Sequence, residues 1–393
     1  MSEVPSARVA PPAFLLDPAM AALLDLLPEA RVVGGAVRDT LAGRPIADVD
    51  LASPLMPDRV IARLRDAGMK VVPTGLTHGT VTAILPSGPV EITTLRRDLE
   101  TDGRHAVVGF TEDWRDDAAR RDFTINALSM TRDGAVYDYF GGLDDLRAGR
   151  LRFVGDPAAR VAEDWLRVLR FFRFFARYGA AAPDPATLDA LRGAVPFLQT
   201  LSVERVWSEL RRILSAPDPV PSVILMAQLG LLTAAVPEGT DRAVLARLVS
   251  AGAPADPLLR MAALLTGDAF DFAVRMKLSL ADRDRLLALR SGPVPAPCDG
   301  DAALRRLLAE TPAPVLVDRC WLAGVDGGTR ARLLAMPRPV FPLEGRDVVA
   351  LGVPPGPDVG MLLRTVRAWW MDGGCVANAE ACLADGARRL RAL

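Results

Sequence analysis

Lysine is almost missing from this chain of 393 residues, occurring only at Lys70 and Lys277. Nearly all positive charge is therefore arginine, whose planar fork grips two oxygens at once and suits phosphate clamps. A biased coding composition yields the same excess, so the excess alone decides nothing. Histidine is as scarce, at His78 and His105 only. The four cysteines, Cys298, Cys320, Cys375 and Cys382, show no C-x-x-C spacing. That argues against structural zinc and leaves free thiols suited to a reducing cytoplasm. A net charge of −1 gives no overall basic excess, so any nucleic-acid surface has to be a local basic face. Long apolar runs are lacking too. The stretch Phe14 to Leu27 is broken by Asp17, Pro18 and Asp25, lacks a basic flank and is too short to span a bilayer. It predicts one amphipathic helix and no membrane partner. What is present is a 50% hydrophobic content, enough for a sizeable core, and a length suggesting two to four structural units.

Residues 31–140 alternate short apolar runs with turn signals. Strands are predicted at Arg31-Val32-Val33, Val49-Asp50-Leu51, Val71-Val72, Thr80 to Ile84 and Val90 to Thr94, with a helix from Pro57 to Ala67. The polar stretch Arg96 to Trp114 reads as a long mobile loop. Beyond about residue 150 the periodicity is helical, over 160–178, 203–214, 221–232, 242–250, 256–266, 281–290, 301–309 and 361–371. The expected fold is α+β, a small mixed sheet with helices followed by an all-helical remainder. The expected segments are a head over 1–150, a neck over 151–220, and a body and tail over 221–393.

Five segments carry chemistry. Gly34-Gly35-Ala36-Val37-Arg38-Asp39 places two glycines between a strand and a helix, where the backbone can approach an anion and Arg38 can reach it. Asp48-Val49-Asp50 puts two carboxylates on one strand face, where they repel unless a cation lies between them. Mg²⁺ favours a few carboxylates plus substrate phosphate oxygens. Glu91, on a neighbouring predicted strand, is either a third carboxylate or an exposed strand glutamate. Arg120-Arg121-Asp122-Phe123-Thr124-Ile125-Asn126 suits triphosphate clamping and equally suits a charged helix end. Asp138 to Leu146 reads as a turn and a capped helix start. Finally, Glu163-Asp164-Trp165-Leu166-Arg167 sets an acid and an arginine one helical turn apart, which alone usually means an intrahelical salt bridge, and Arg167, Arg170 and Arg173 form an i, i+3 ridge that looks unpaired.

Together, in this order, these segments resemble the class II branch of the polymerase-β-type nucleotidyltransferases, which holds tRNA CCA-adding enzymes and bacterial poly(A) polymerases. Val71 to Gly75 with His78 to Thr82, Glu91 to Arg96, and Thr101 to Ala106 look like the CCA-adding side. The tail from Pro342 to Asp347 and from Gly356 to Gly360 is similar to that family's tRNA-facing tail. The resemblance implies a nucleotidyltransferase head, then a helical neck with the nucleotide-selecting helix, then a tRNA-binding body and tail. It implies that Gly35 and Arg38 contact the incoming nucleotide, that Asp48 and Asp50 hold Mg²⁺, with Glu91 as third carboxylate, and that Arg121 binds triphosphate. Asp164 and Arg167 would select the base, and Arg170 and Arg173 would complete the nucleotide site. The 96–114 loop would help the site change from C to A. Trp165 departs from the pattern, since many members carry proline there.

The selection logic follows from the bases. C and A present an amine donor beside a ring-nitrogen acceptor, whereas U and G present a carbonyl beside a ring N–H. A carboxylate and a guanidinium therefore admit C and A and reject U and G, with no nucleic-acid template. The expected function is addition of C, C and A to tRNA from CTP and ATP, with no obligate protein partner. The alternatives are a poly(A) polymerase or a partial CC- or A-adding enzyme, and, from another class, a catalytically silent RNA-binding protein. Some relatives carry a metal-dependent phosphohydrolase of the histidine-aspartate type, which needs several His ligands. With only His78 and His105 available, the full chain assayed with divalent metals should release no phosphate from phosphomonoester substrates, and robust metal-dependent phosphatase activity would contradict this reading.

Overall fold

The computed structural model describes residues 3–101 and 106–391, and of 98–101 and 106–108 the backbone alone. These residues form two compact units, Met1–Pro237 and Glu238–Leu393.

The first unit is built on an eight-stranded sheet. Its strands are β1 (Ala7–Arg8), β2 (Arg31–Val33), β3 (Asp50–Ser53), β4 (Val71–Gly75), β5 (Thr80–Leu85), β6 (Gly88–Thr94), β9 (Leu128–Met130) and β10 (Ala135–Asp138), while β7 (Arg96–Thr101) and β8 (Ala106–Phe110) form a separate pair. The order is β1-β10-β9-β2-β3-β6-β5-β4. Only β3 and β6 run parallel, which makes the sheet mixed as expected. Side chains alternate between the two faces. Val32, Leu51, Val81 and Ile92 point into the main core, where Leu23, Leu24, Val60 and Leu64 from helices Pro18–Leu26 and Pro57–Asp66 meet them. The opposite face carries a row in register, Ser129, Val33, Asp50, Glu91 and Thr82. One face thus supplies the core and the other the chemistry.

Two helices carry the rest of the site. Helix Leu166–Tyr178 docks on the head through phenylalanines. Phe123 meets Phe153 at 4.9 Å and Phe174 at 5.3 Å, and Phe153 stacks on Phe171 at 5.8 Å. Such pairs are worth about 0.5–1.5 kcal/mol beyond area burial. Helix Val203–Leu214 buries Val206, Trp207, Leu210 and Ile213 and keeps a charged edge.

The second unit is helical throughout its described residues, from Arg242–Ser250 to Ala379–Leu390. One cluster is formed by Leu304, Leu308, Leu316, Cys320 and Leu333, and another by Leu343, Val348, Leu362, Val366, Trp370 and Cys382. Cys320, Cys375 and Cys382 are buried and Cys298 is exposed, all four as free thiols. Among the described residues no helix is long and apolar enough to cross a membrane.

Three expectations need correction. The stretch Phe14 to Leu27 is two short helices, Ala13–Leu16 and Pro18–Leu26, because the Asp17 carboxylate caps the second by accepting from Ala19 and Met20 N–H. Residues 96–114 are not one loop: β7 and β8 pair there, and helix Trp114–Ala119 follows. A two-stranded ribbon held by backbone bonds needs no apolar alternation, so the sequence shows none. Residues 102–105, the middle of the Thr101 to Ala106 motif, lie outside the described residues. The helical stretch 160–178 is broken into Pro157–Glu163 and Leu166–Tyr178, with Asp164 extended between them.

The segment Asp138 to Leu146 is the capped start that its sequence suggests. The Asp138 carboxylate accepts from the N–H groups of Phe140, Gly141, Gly142 and Leu143 at 2.9–3.1 Å. Asp145 on the same helix is fully buried and accepts from Thr124 Oγ at 2.6 Å and from Arg152 at 2.8 Å. This helix therefore braces the Thr124–Asn126 turn. A Cβ on Gly142 would lie 2.2 Å from the Thr124 carbonyl oxygen. Gly142→Ala should lower stability by about 1–3 kcal/mol through this overpacking, read as a shifted urea midpoint at constant m, and an unshifted midpoint would show that the turn yields freely.

Candidate active site

The cleft face of the sheet and helices Leu166–Tyr178 and Val203–Leu214 enclose a cavity of about 870 Å³. Ten arginines and six carboxylates line it, so it suits a polyanion.

At its floor, Asp50 on β3 lies directly beside Glu91 on β6. Both carboxylates are exposed to the cleft. Partial burial raises the Asp50 pKa, Glu91 and Asp48 add to the rise, and Arg121 opposes it. Asp48 lies in the irregular approach to β3, not in the strand, and it does not line the cavity. Among the described residues, no three His, Cys, Asp or Glu side chains converge as a metal-binding group. A carboxylate whose pKa is raised by its acidic neighbours fits a cation, and a metal that takes most of its oxygens from substrate needs no protein cage.

Above the floor is the glycine turn. Gly34 has φ +68°, which favours glycine, and a Cβ there would lie 2.9 Å from Arg121 Nη1 and displace that fork. Gly35 opens helix Gly35–Leu41, and a Cβ there would lie 3.6 Å from Arg38 Nη2, in ordinary contact. Arg121 Nη1 donates to the Asn126 carbonyl at 3.3 Å and Nη2 to Asp117 at 3.2 Å. Burial pushes the Asp117 carboxyl up, but Arg121 and Arg120 outweigh it and hold it below its usual value.

A buried relay joins this turn to the neck. Arg38 Nη1 donates to Asn126 Oδ1 at 2.6 Å, and Asn126 Nδ2 donates to Asp122 Oδ1 at 3.0 Å. The second Asp122 oxygen accepts from Arg170 Nε at 2.8 Å and from Nη2. Burial pushes the Asp122 carboxyl up, yet Arg170 and Asn126 hold it below the ordinary range. Arg38 also pairs with Asp39 at 2.9 Å and lies over the rings of Tyr178 and Phe174.

The arginine ridge is paired, contrary to its appearance in sequence. Arg167 pairs with Glu163, Arg170 with Asp122, and Arg173 with Glu209 at 3.1 Å. Burial, against the pull of Glu209, pushes the Arg173 pKa down to about 10. Asp164 does not share a helix with Arg167. It sits at the break, where Oδ1 accepts from Leu166 N–H at 3.1 Å and Oδ2 from Arg205 at 2.7 Å. Both Asp164 and Arg167 line the cavity. Trp165 starts the helix there by stacking on Phe197, with ring centroids 4.0 Å apart and 4° between planes. The partners Arg205 and Glu209 went unread in the sequence, although their four-residue spacing on an amphipathic helix marks a shared face.

Asp122 makes the site acid-sensitive. Its pKa is depressed in the folded chain, so its stabilisation is complete above the unfolded value of ~3.9 and is lost as pH falls below that. At neutral pH, Asp122→Asn should cost about 1–3 kcal/mol or more. The gap in melting temperature between wild type and variant should shrink below about pH 4, and a gap independent of pH would contradict the pairing.

The family model described as "Poly A polymerase head domain" matches residues 30–152, and that described as "Probable RNA and SrmB- binding site of polymerase A" matches 182–242. CCA tRNA nucleotidyltransferase 1, mitochondrial, of Danio rerio is 34% identical over 362 residues, covering 87% of this chain and 83% of that protein. Its Homo sapiens counterpart is 34% identical over 366 residues, covering 88% and 83%. The crystal structure of the Bacillus stearothermophilus CCA-adding enzyme in complex with CTP superposes with a TM-score of 0.75 at 26% identity, covering 95% of this chain and 97% of that one. With a matched head, a helical remainder and relatives similar over most of their length, this chain belongs to the CCA-adding tRNA nucleotidyltransferase family.

Proposed function

We propose that this protein adds C, C and A to the 3′ end of tRNA from CTP and ATP, without a nucleic-acid template, and releases pyrophosphate. The observation that carries this is the placing of Asp164 and Arg167 in the same cavity as Asp50, with the charged group of each paired to an outer partner, Arg205 and Glu163 respectively. An acceptor and a donor are thus both presented where a base can lie.

The residue roles follow. Asp50 and Asp48 would hold magnesium, Asp50 from the cavity itself and Asp48 from the approach to β3, with Glu91 as the third carboxylate. Bound there, the metal would activate the attacking hydroxyl and offset charge on the leaving pyrophosphate. Gly35 leaves room for the nucleotide, and Arg38 and Arg121 bind its phosphates with forks already oriented by Asn126 and Asp117. Arg170 and Arg173 extend the phosphate wall. Asp164 accepts from the exocyclic amine of C or A while Arg167 donates to the ring nitrogen. We assign catalysis to the head over 1–150, selection to the neck over 151–220, and tRNA binding to the body and tail over 221–393. The four free thiols suit a reducing compartment, the cytoplasm by this reading, although the vertebrate relatives are named as mitochondrial.

Labelled CTP and ATP supplied with tRNA lacking its CCA end test the function. Both labels should be incorporated, whereas ATP alone entering as a long tail would indicate a poly(A) polymerase. Asp50→Ala should abolish incorporation with the fold intact, and near-normal rates with Mg²⁺ supplied would sink the metal assignment. Asp164→Ala or Arg167→Ala should relax discrimination against UTP and GTP, since an unpaired base group typically costs ~1–3 kcal/mol. Unchanged selectivity in both would end the template reading.

A further inference from the structure

Asp164 and Arg167 are opposite charges three residues apart, and left to themselves they would neutralise each other. Such a pair could not read a base, because each would already occupy the other's hydrogen-bonding edge. In the structure they are held apart by outer counter-ions. Arg167 is drawn to Glu163 on the preceding helix, and its Nη1 also donates to the Arg160 carbonyl at 2.9 Å. Asp164 is drawn the other way, to Arg205, which arrives from helix Val203–Leu214.

The Arg205 contact is specific. Its Nη2 lies 2.7 Å from Asp164 Oδ2, a charge-assisted bond. Oδ1 is fixed independently by the Leu166 N–H at 3.1 Å, so the carboxylate plane is pinned at both ends. A carboxylate oxygen accepts at two lone pairs, so Oδ2 keeps one for an incoming amine. Asp164 lies in extended backbone, φ −156° and ψ 108°, between two helices, and its carbonyl accepts from Arg167 N–H at 2.9 Å, a backbone bond that leaves Oδ2 to be directed by a side chain. Arg205 supplies that direction from a separate element. It also lines the cavity, as Asp164 and Arg167 do.

We infer that Arg205 is a positioning residue for base selection: by holding the Asp164 carboxylate away from Arg167, it keeps the protein template open to C and A. This rests on the reading of Asp164 and Arg167 as the template. It differs from a packing role in a measurable way. Loss of packing lowers the use of all four nucleotides alike. Loss of the hold on Asp164 lowers the use of CTP and ATP relative to UTP and GTP.

The test compares full-length wild type with Arg205→Ala, Arg205→Gln, Arg205→Lys and Asp164→Ala, on tRNA lacking its CCA end, with each nucleotide supplied singly. Steady-state kcat/KM is measured for CTP and UTP, and melting temperature is recorded in parallel. Arg205→Ala and Arg205→Gln should reduce the CTP-over-UTP ratio at least about tenfold, as expected for one lost charged pairing, mainly through a higher KM for CTP. Arg205→Lys should restore part of the ratio, since an ammonium can donate to the same oxygen. Gln preserves most of the side-chain bulk, so it decides the question if the Ala variant folds poorly. If Asp164→Ala loses selectivity while Arg205→Gln keeps the wild-type ratio, the role of Arg205 is refuted and the template stands. If Asp164→Ala itself keeps the ratio, the template reading fails, and the role of Arg205 with it.

Discussion

A buried carboxylate has to be paired, and around Asp122 that requirement organises the site. One of its oxygens takes the Asn126 amide, which in turn fixes Arg38 on the glycine-turn helix. The other takes the Arg170 fork from the neck. Three stretches of chain, near residues 38, 122 and 170, are thus registered by one charge. Leaving any of these partners unpaired inside the protein costs more than the bond itself contributes. The sheet floor that bears Asp50 and Glu91 and the helix that begins beside Asp164 are consequently held in a fixed relation.

The same pattern repeats along the cavity. Arg121 is oriented by Asp117, Arg173 by Glu209, Arg167 by Glu163, and Asp164 by Arg205. Each fork is presented in one orientation before any nucleotide arrives, which reduces the ordering cost of binding. Arginine serves this arrangement better than lysine. Its five donors let one edge hold a structural acid while another faces the ligand, whereas a point charge is satisfied by the nearest oxygen. The scarcity of lysine noted in the sequence thereby acquires a structural use.

Much of this was legible in the sequence, and the gaps have physical causes. β-branched runs marked β2, β5 and β6, and the helices Val203–Leu214 and Arg242–Ser250 fall where their periodicity places them. Glycines at 34 and 35 marked one turn, and Asp138 marked the capped helix start that follows it at Gly142. The pairing of Asp50 with Glu91 could be guessed only as neighbouring strands, because the parallel register of β3 and β6 is set by the whole sheet. The ridge at Arg167, Arg170 and Arg173 looked unpaired because two of its partners, Asp122 and Glu209, lie tens of residues away. Helical spacing also joined Asp164 to Arg167, whereas the chain breaks there and Trp165 restarts it by stacking on Phe197. Local patterns reveal elements and faces. Counter-ions supplied by other elements remain hidden until the chain folds.

In the proposed reading, protein side chains, with no template strand, dictate the sequence that is added. The most direct measurement takes nuclease-treated protein, a tRNA transcript lacking its CCA end, Mg²⁺ and all four nucleotides together, and sequences every 3′ end produced. The account predicts ends reading C, then C, then A, with U and G essentially absent. Homopolymeric A tails, or U and G entering as readily as C and A, would contradict it.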